Sequence, residues 1–292
     1  MIYDVRQTTT YLYDIAVTRA RHVLRLVPVA RERQRVAAAL LEVVPAPANR
    51  REAVDFFRNR TTVVELEEPH ESLTVRLAAR VAIEAAEAID AERTPSWESV
   101  RAQAFAGADM GPGSPVHFLY PSRQIALDPE VRDYAGESFA PDRPVLAGAE
   151  ELMRRIQADF VYEPGATTVT TTPATAFSLR RGVCQDFAQV MIAGLRGLGL
   201  PAAYVSGYLR TGPRPGGARL EGADAMHAGV LVWCAAAGWR GLDPTNAMTA
   251  SEDHVTLAIG RDYADVAPID GVVLASGQQT LHTAVDVIPV EA

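Results

Sequence analysis

The chain contains no lysine: its 28 basic side chains are all arginines, set against 36 acids for a formal charge of -8. Those arginines are scattered among acidic residues, so the concentrated basic face that neutralises nucleic-acid phosphates is missing, and no nucleic-acid partner is expected. Lacking lysine, the protein also has no side-chain amine with which to crosslink itself. Only two cysteines occur, Cys184 and Cys234, too few for a disulfide framework or a thiolate zinc cage; a reducing compartment, the cytoplasm, is expected. The longest apolar stretch, 228–238, falls far short of the roughly 20 residues of a membrane-spanning helix. Residues 1–7 alternate polar and apolar, without the basic start and apolar block of a signal peptide, so a soluble, non-secreted protein away from membranes is expected. Cys-x-x-Cys, His-Glu-x-x-His, phosphate-loop and Gly-x-Ser-x-Gly patterns are all absent. Metal hydrolase, nucleotide-binding and serine-hydrolase chemistries therefore lack support, and no metal or cofactor is expected.

What is present is an ordinary globular composition, 48% hydrophobic and 22% charged over 292 residues, ample for a buried core. Period-two patterns separated by turn residues predict strands at 2–7, 9–15, 22–28, 37–44, 61–66 and 72–81. The alanine and leucine content of 36–41 suits a helix equally well. Strands at that spacing predict an antiparallel sandwich over 1–90. An α+β unit over 91–292 should follow, its core at about 145–270.

Within the second unit, short helices are expected at 97–104 and 129–134, and a longer one at 147–160 with Leu152, Ile156 and Phe160 on one face. Another begins at Cys184, where Phe187, Val190, Met191, Leu195 and Leu198 recur at three-and-four spacing until Gly197 and Gly199 end it. Strands are expected at 202–209, 226–234, 239–242 and 254–259, with two more in 272–290. The Gly- and Pro-rich stretch 211–222 reads as an exposed loop.

Thiol catalysis needs a thiolate, an imidazole to hold its proton, and a third group that fixes the ring. Cys184 follows Arg180-Arg181-Gly182-Val183, so a glycine turn leads directly into a helix with the sulfur in its first turn. Unpaired N–H groups and the positive end of the helix dipole favour an anion there. The same position offers the Cys184 N–H to a tetrahedral oxyanion, with Tyr162 or Gln157 as candidates for a second donor. His227 opens one strand-like run, and Asp243 closes the next, 243 - 227 = 16 residues later. A hairpin through 235–238 would set the two side by side.

The runs Gly-Val-Cys-Gln-Asp-Phe-Ala (182–188), Asp-Ala-Met-His (224–227) and Trp-Arg-Gly-Leu-Asp-Pro-Thr (239–245), in that order, resemble the transglutaminase-like superfamily. Arg25-Leu26-Val27-Pro28, His70 and the 260–268 run starting Gly-Arg-Asp-Tyr resemble its bacterial branch, which carries an N-terminal sandwich. Arg58 stands where that branch commonly has Gly before the Asn. The resemblance implies a papain-like core with Cys184, His227 and Asp243 as triad, in a family of cysteine proteases, amidases and transglutaminases. A peptide or protein would be the substrate. Hydrolysis of an amide, acyl transfer to an amine and a catalytically silent peptide-binding module are the readings to separate.

The remaining residues have plainer expectations. Cys234, between Trp233 and Ala235, reads as a packed strand end, and Asp186 as a residue favouring the helix start. His254 is the one other histidine with a possible place lining the cleft. Arg261, Asp262 and Tyr263 are either a family signature or a buried polar network behind the site.

Overall fold

The computed structural model describes residues 1–211 and 224–290; all but the first residue of the expected 211–222 loop lies outside them. Six strands come first: β1 (Ile2–Val17), β2 (Arg19–Leu24), β3 (Gln34–Val44), β4 (Asn49–Val54), β5 (Arg60–Leu66) and β6 (His70–Ile83). The helical middle holds α1 (Trp97–Ala106), α2 (Pro129–Gly136) and α3 (Val145–Asp159), then β7 (Val161–Tyr162), α4 (Pro173–Leu179), β8 (Arg181–Gly182) and α5 (Cys184–Gly197). Next come β9 (Ala202–Leu209), β10 (Ala225–Trp233), β11 (Trp239–Asp243), β12 (Met248–Thr249) and β13 (His254–Gly260). A short α6 (Tyr263–Val266) leads to β14 (Ile269–Leu274) and β15 (Gln279–Pro289).

Two four-stranded antiparallel sheets, ordered β15-β1-β6-β3 and β14-β2-β5-β4, form the sandwich. Alternation buries Tyr3 and Val5 of β1 with Leu73, Val75, Leu77 and Val81 of β6 between them, as a half-solvated pleat requires. The expected strands 2–7 and 9–15 are one continuous strand, because the β-branched threonines around Thr8 pair with β6 on one side and β15 on the other. Residues 36–41 are strand: pairing with β6 overrides their helix propensity. The strand expected at 22–28 stops at Leu24, where the N–H of Arg25 turns to the carbonyl of Pro268. Strand β4 has every side chain exposed, so it carried no hydrophobic alternation to read.

The sandwich also recruits the end of the chain. Strand β14 pairs with β2, and β15 lies along β1 over eleven residue pairs from Tyr3↔Pro289 to Tyr13↔Gln279. A division at residue 90 leaves those two strands out.

The second core is a helical layer on a five-stranded antiparallel sheet, ordered β12-β11-β10-β9-β13. Buried α5 carries Phe187, Val190, Met191 and Leu195 into it, against Ala228, Val230 and Val232 of β10. Its end is a Schellman turn: Gly199 takes φ +79°, its N–H donates to Arg196 O, and the Leu200 N–H donates to Leu195 O. Leu152, Ile156 and Phe160 are buried as expected, although α3 starts at Val145.

Side-chain amides join the two layers at the outer edge of β13. Buried Gln34 donates to Thr256 O at 2.7 Å and accepts the Thr256 N–H at 2.8 Å, and Asn59 makes the same reciprocal pair with Ile259 at 2.8 Å each. The Asn59 N–H is itself held by Asp55, in a turn that puts Arg58 at φ +65°. Glycine enters that left-handed region without steric cost, which is the physical content of the departure at Arg58.

Candidate active site

Helix α5 places the sulfur. Glycine at 182 is required by contact: a Cβ there would lie 2.4 Å from Asp186 Oδ2. That carboxylate oxygen accepts the Val183 N–H at 2.8 Å and the Thr167 hydroxyl at 2.6 Å, closing the first turn on itself. Asp186 thus has the local role expected of it. Cys184, as first helical residue, has no carbonyl one turn back for its own N–H, and its side chain is half-buried.

Strand pairing places the other two groups. Register Val230↔Leu242 between β10 and β11 brings His227 and Asp243 together, and the His227 Nε2–H donates to Asp243 Oδ2 at 2.8 Å. Asp243 is fully buried. Its Oδ2 also accepts from Asn246 Nδ2 at 2.7 Å and His254 Nε2 at 3.3 Å, while Oδ1 accepts the Thr245 and Asn246 N–H groups at 3.0 and 3.2 Å.

Burial alone would raise the Asp243 pKa, but hydrogen bonds from His227 and His254 overcome it and hold the carboxyl well below its usual range. For His227 burial works downward, yet hydrogen bonding with Asp243 and with Cys184 lifts the imidazole to about 9. The sulfur therefore acts on the same ring as the carboxylate. Because Nε2 is committed to Asp243, Nδ1 is the nitrogen left for the thiol.

Three tyrosines feel the charge of the sulfur. Tyr162 reaches the site through the parallel pair Tyr162↔Gly182 of β7 and β8. Its pKa is raised, first by partial burial and then by the charge of Cys184. Tyr204 and Tyr263 feel that charge as well, and their rings meet at 6.3 Å. Gln157, by contrast, is exposed on α3, and among the described residues no hydrogen bond ties it to the site. Arg261 faces solvent in a bidentate pair with Asp265 at 2.8 and 3.0 Å. Buried Asp262 caps α6 through the Ala264 N–H and accepts the Gln124 N–H at 2.7 Å. Tyr263, next in the chain, feels the charge of Cys184.

His254 is where sequence reading stopped short. A place lining the cleft was only one option for it, and the contact with Asp243 depends on β13 lying across β9, which no local pattern states. Donor atoms of His227, Asp243 and His254 lie within 4.8 Å of one another, a spacing that a metal ion could use. As they stand, both Nε2 atoms serve as donors to the carboxylate. His227 and His254 also line a cavity of about 970 Å³ between the sandwich and the sheet, with Phe57, Phe118 and Trp239 farther along its wall. Cys234 is fully buried, and burial pushes its thiol up to about 12. No helix among the described residues is long and apolar enough to cross a membrane.

A helix bearing a half-buried thiol, packed on an antiparallel sheet behind a β-sandwich, is a papain-like α+β fold. The chain belongs to the transglutaminase-like superfamily: the superfamily core matches residues 132–244, and the bacterial transglutaminase-like N-terminal region matches residues 3–82. An uncharacterised Mycobacterium tuberculosis protein is 37% identical over 297 residues, covering 99% of this chain and 93% of that one. A Mycobacterium leprae protein is 30% identical over 286 residues, covering 97% of each. The crystal structure of a candidate cysteine protease from Cytophaga hutchinsonii superposes with a TM-score of 0.77 at 20% identity, over 99% of this chain and 92% of that chain. A protein-glutamine gamma-glutamyltransferase of Pseudomonas aeruginosa is 34% identical over 128 residues, 40% of this chain and 18% of that protein.

Proposed function

We propose that the protein is a thiol-dependent amide or peptide hydrolase working through Cys184, His227 and Asp243. The observation that carries this reading is the His227 imidazole held at Nε2 by the buried Asp243 carboxylate, with Cys184 among the groups that raise its pKa. In the proposed cycle His227 takes the thiol proton and the Cys184 sulfur attacks the amide carbonyl carbon. The oxyanion settles on the Cys184 N–H, with the Tyr162 hydroxyl as second donor. The imidazolium, stabilised by Asp243, returns its proton to the leaving amine as the C–N bond breaks. A thioester remains, and water activated by His227 releases the acid and regenerates the thiol. A free thiol fits the cytoplasmic location expected from two unpaired cysteines.

A second reading keeps the thioester and changes the acceptor. It is favoured by the stretch related to a glutamyltransferase, and would make the enzyme transfer a glutamine acyl group to an amine. Attack on a glutamine side chain predicts, in both readings, ammonia release from a glutamine-containing peptide that Cys184→Ala abolishes; peptide-bond hydrolysis gives new peptide termini instead. Adding excess primary amine separates them: the hydrolase gives mainly the glutamate product, and dominant amine incorporation would replace that reading with the transferase.

A further inference from the structure

Asp243 is shared. Both histidines direct Nε2 to the same oxygen, Oδ2, His227 at 2.8 Å and His254 at 3.3 Å, with ring centroids 6.1 Å apart. The direction of the second bond is set by the backbone. His254 Nδ1 lies 3.1 Å from the Ser251 N–H, which can only donate, so Nδ1 is the acceptor and the ring proton sits on Nε2. His254 is therefore built as a donor to Asp243. Its place at the start of β13 is held by the edge contacts of that strand with Gln34 and Asn59.

We propose that His254 is a positioning residue that shares Asp243 Oδ2 with His227, keeping the carboxylate turned toward the catalytic ring while limiting how tightly it holds the imidazolium. An acceptor oxygen that serves a further donor has less charge to offer each one. Four other hydrogen bonds already hold Asp243, from His227, Asn246 Nδ2 and the Thr245 and Asn246 N–H groups. Loss of His254 would thus be felt as charge returned to Oδ2 more than as a loosened side chain. The ring of His227 would bind its proton more strongly and release it to a leaving amine less readily. Among the described residues, other charged or titratable groups do not duplicate this role. Cys184 acts from α5, Asp243 from β11, and β9 opposes His227 with Gly207. Asp253 is engaged by Tyr3 and Arg210, and Arg31 stands across the shared cavity.

This inference rests on the proposed hydrolase, so its test reads the imidazole directly. The His227 ring is titrated by NMR in the native protein and in His254→Leu, His254→Gln and Asp243→Asn. Leucine removes the donor, whereas glutamine can return an N–H near the position of Nε2. The expected result is an upward shift of about half a unit or more in His254→Leu, a near-native value in His254→Gln, and kcat reduced at unchanged KM in the leucine variant. An unchanged or lowered value in His254→Leu overturns the role assigned to His254. If leucine prevents folding, His254→Asn, too short to reach Oδ2, must give the same upward shift. Asp243→Asn keeps the two failures distinct: if it does not lower the His227 titration, the pairing behind the hydrolase itself is wrong, whatever the His254 variants do.

Discussion

The two cysteines are the same residue in opposite settings. Cys184 stands half-buried at a helix start, and its charge is felt by the His227 imidazole and by three tyrosines. Cys234, at the end of β10, is sealed from solvent and lies 3.7 Å from the Val232 carbonyl, with its thiol pushed up to about 12. One sulfur stands half-buried at a helix start, and the other where burial works against charge.

Labelling should show the largest contrast. At pH 8 a thiol with a pKa of about 12 is ionised in about one molecule in 10⁴, and sealed packing lowers access further. Iodoacetamide should therefore modify one thiol per native chain, mapped to Cys184, and a second only under denaturant. Equal labelling of both would end the comparison.

Next in size is Asp243→Asn, which leaves both sulfurs in place and alters only what stands behind one. It should cut kcat by about 10³-fold or more, in line with loss of the ring-orienting carboxylate. The alkaline limb of the rate profile, expected near the His227 value of about 9, should fall toward the ordinary imidazole range. A profile that keeps its limb would mean that another group holds the proton.

Stability should follow the same ring. His227 is raised from 6.5 to about 9 in the folded protein. Its contribution is therefore fully present below pH about 6.5 and is lost as pH rises through about 9, an effect on the order of 3 kcal/mol. Denaturation midpoints measured from pH 6 to 10 should decline across that window, and the decline should flatten in Asp243→Asn. The smallest contrast is mutational. Cys234→Ala empties part of a packed strand end and should cost about 1 kcal/mol, while Cys184→Ala should stay within about 0.5 kcal/mol. A reversed order would place the structural burden on the wrong sulfur.

Much of the site was legible because its parts are local. The glycine turn and three-and-four spacing announce α5, and the 16-residue separation of His227 and Asp243 fits one hairpin whose register the structure supplies. Tyr162 was within reach for a similar reason, since β7 pairs beside Gly182 just ahead of the helix. Gln157 lies on the solvent side of α3, a matter of helix phase relative to a neighbour far along the chain.

Residue types, spacing and turn chemistry by themselves determined that this chain would build a sandwich, a thiol-bearing helix and a hairpin carrying histidine and aspartate. Tertiary structure alone decided that β15 returns to close the first sheet, that Gln34 and Asn59 tie the sandwich to β13, and that His254 reaches Asp243. Those contacts join residues tens to hundreds of positions apart or across intervening strands, where no local propensity acts and only the packing of finished elements sets the distance.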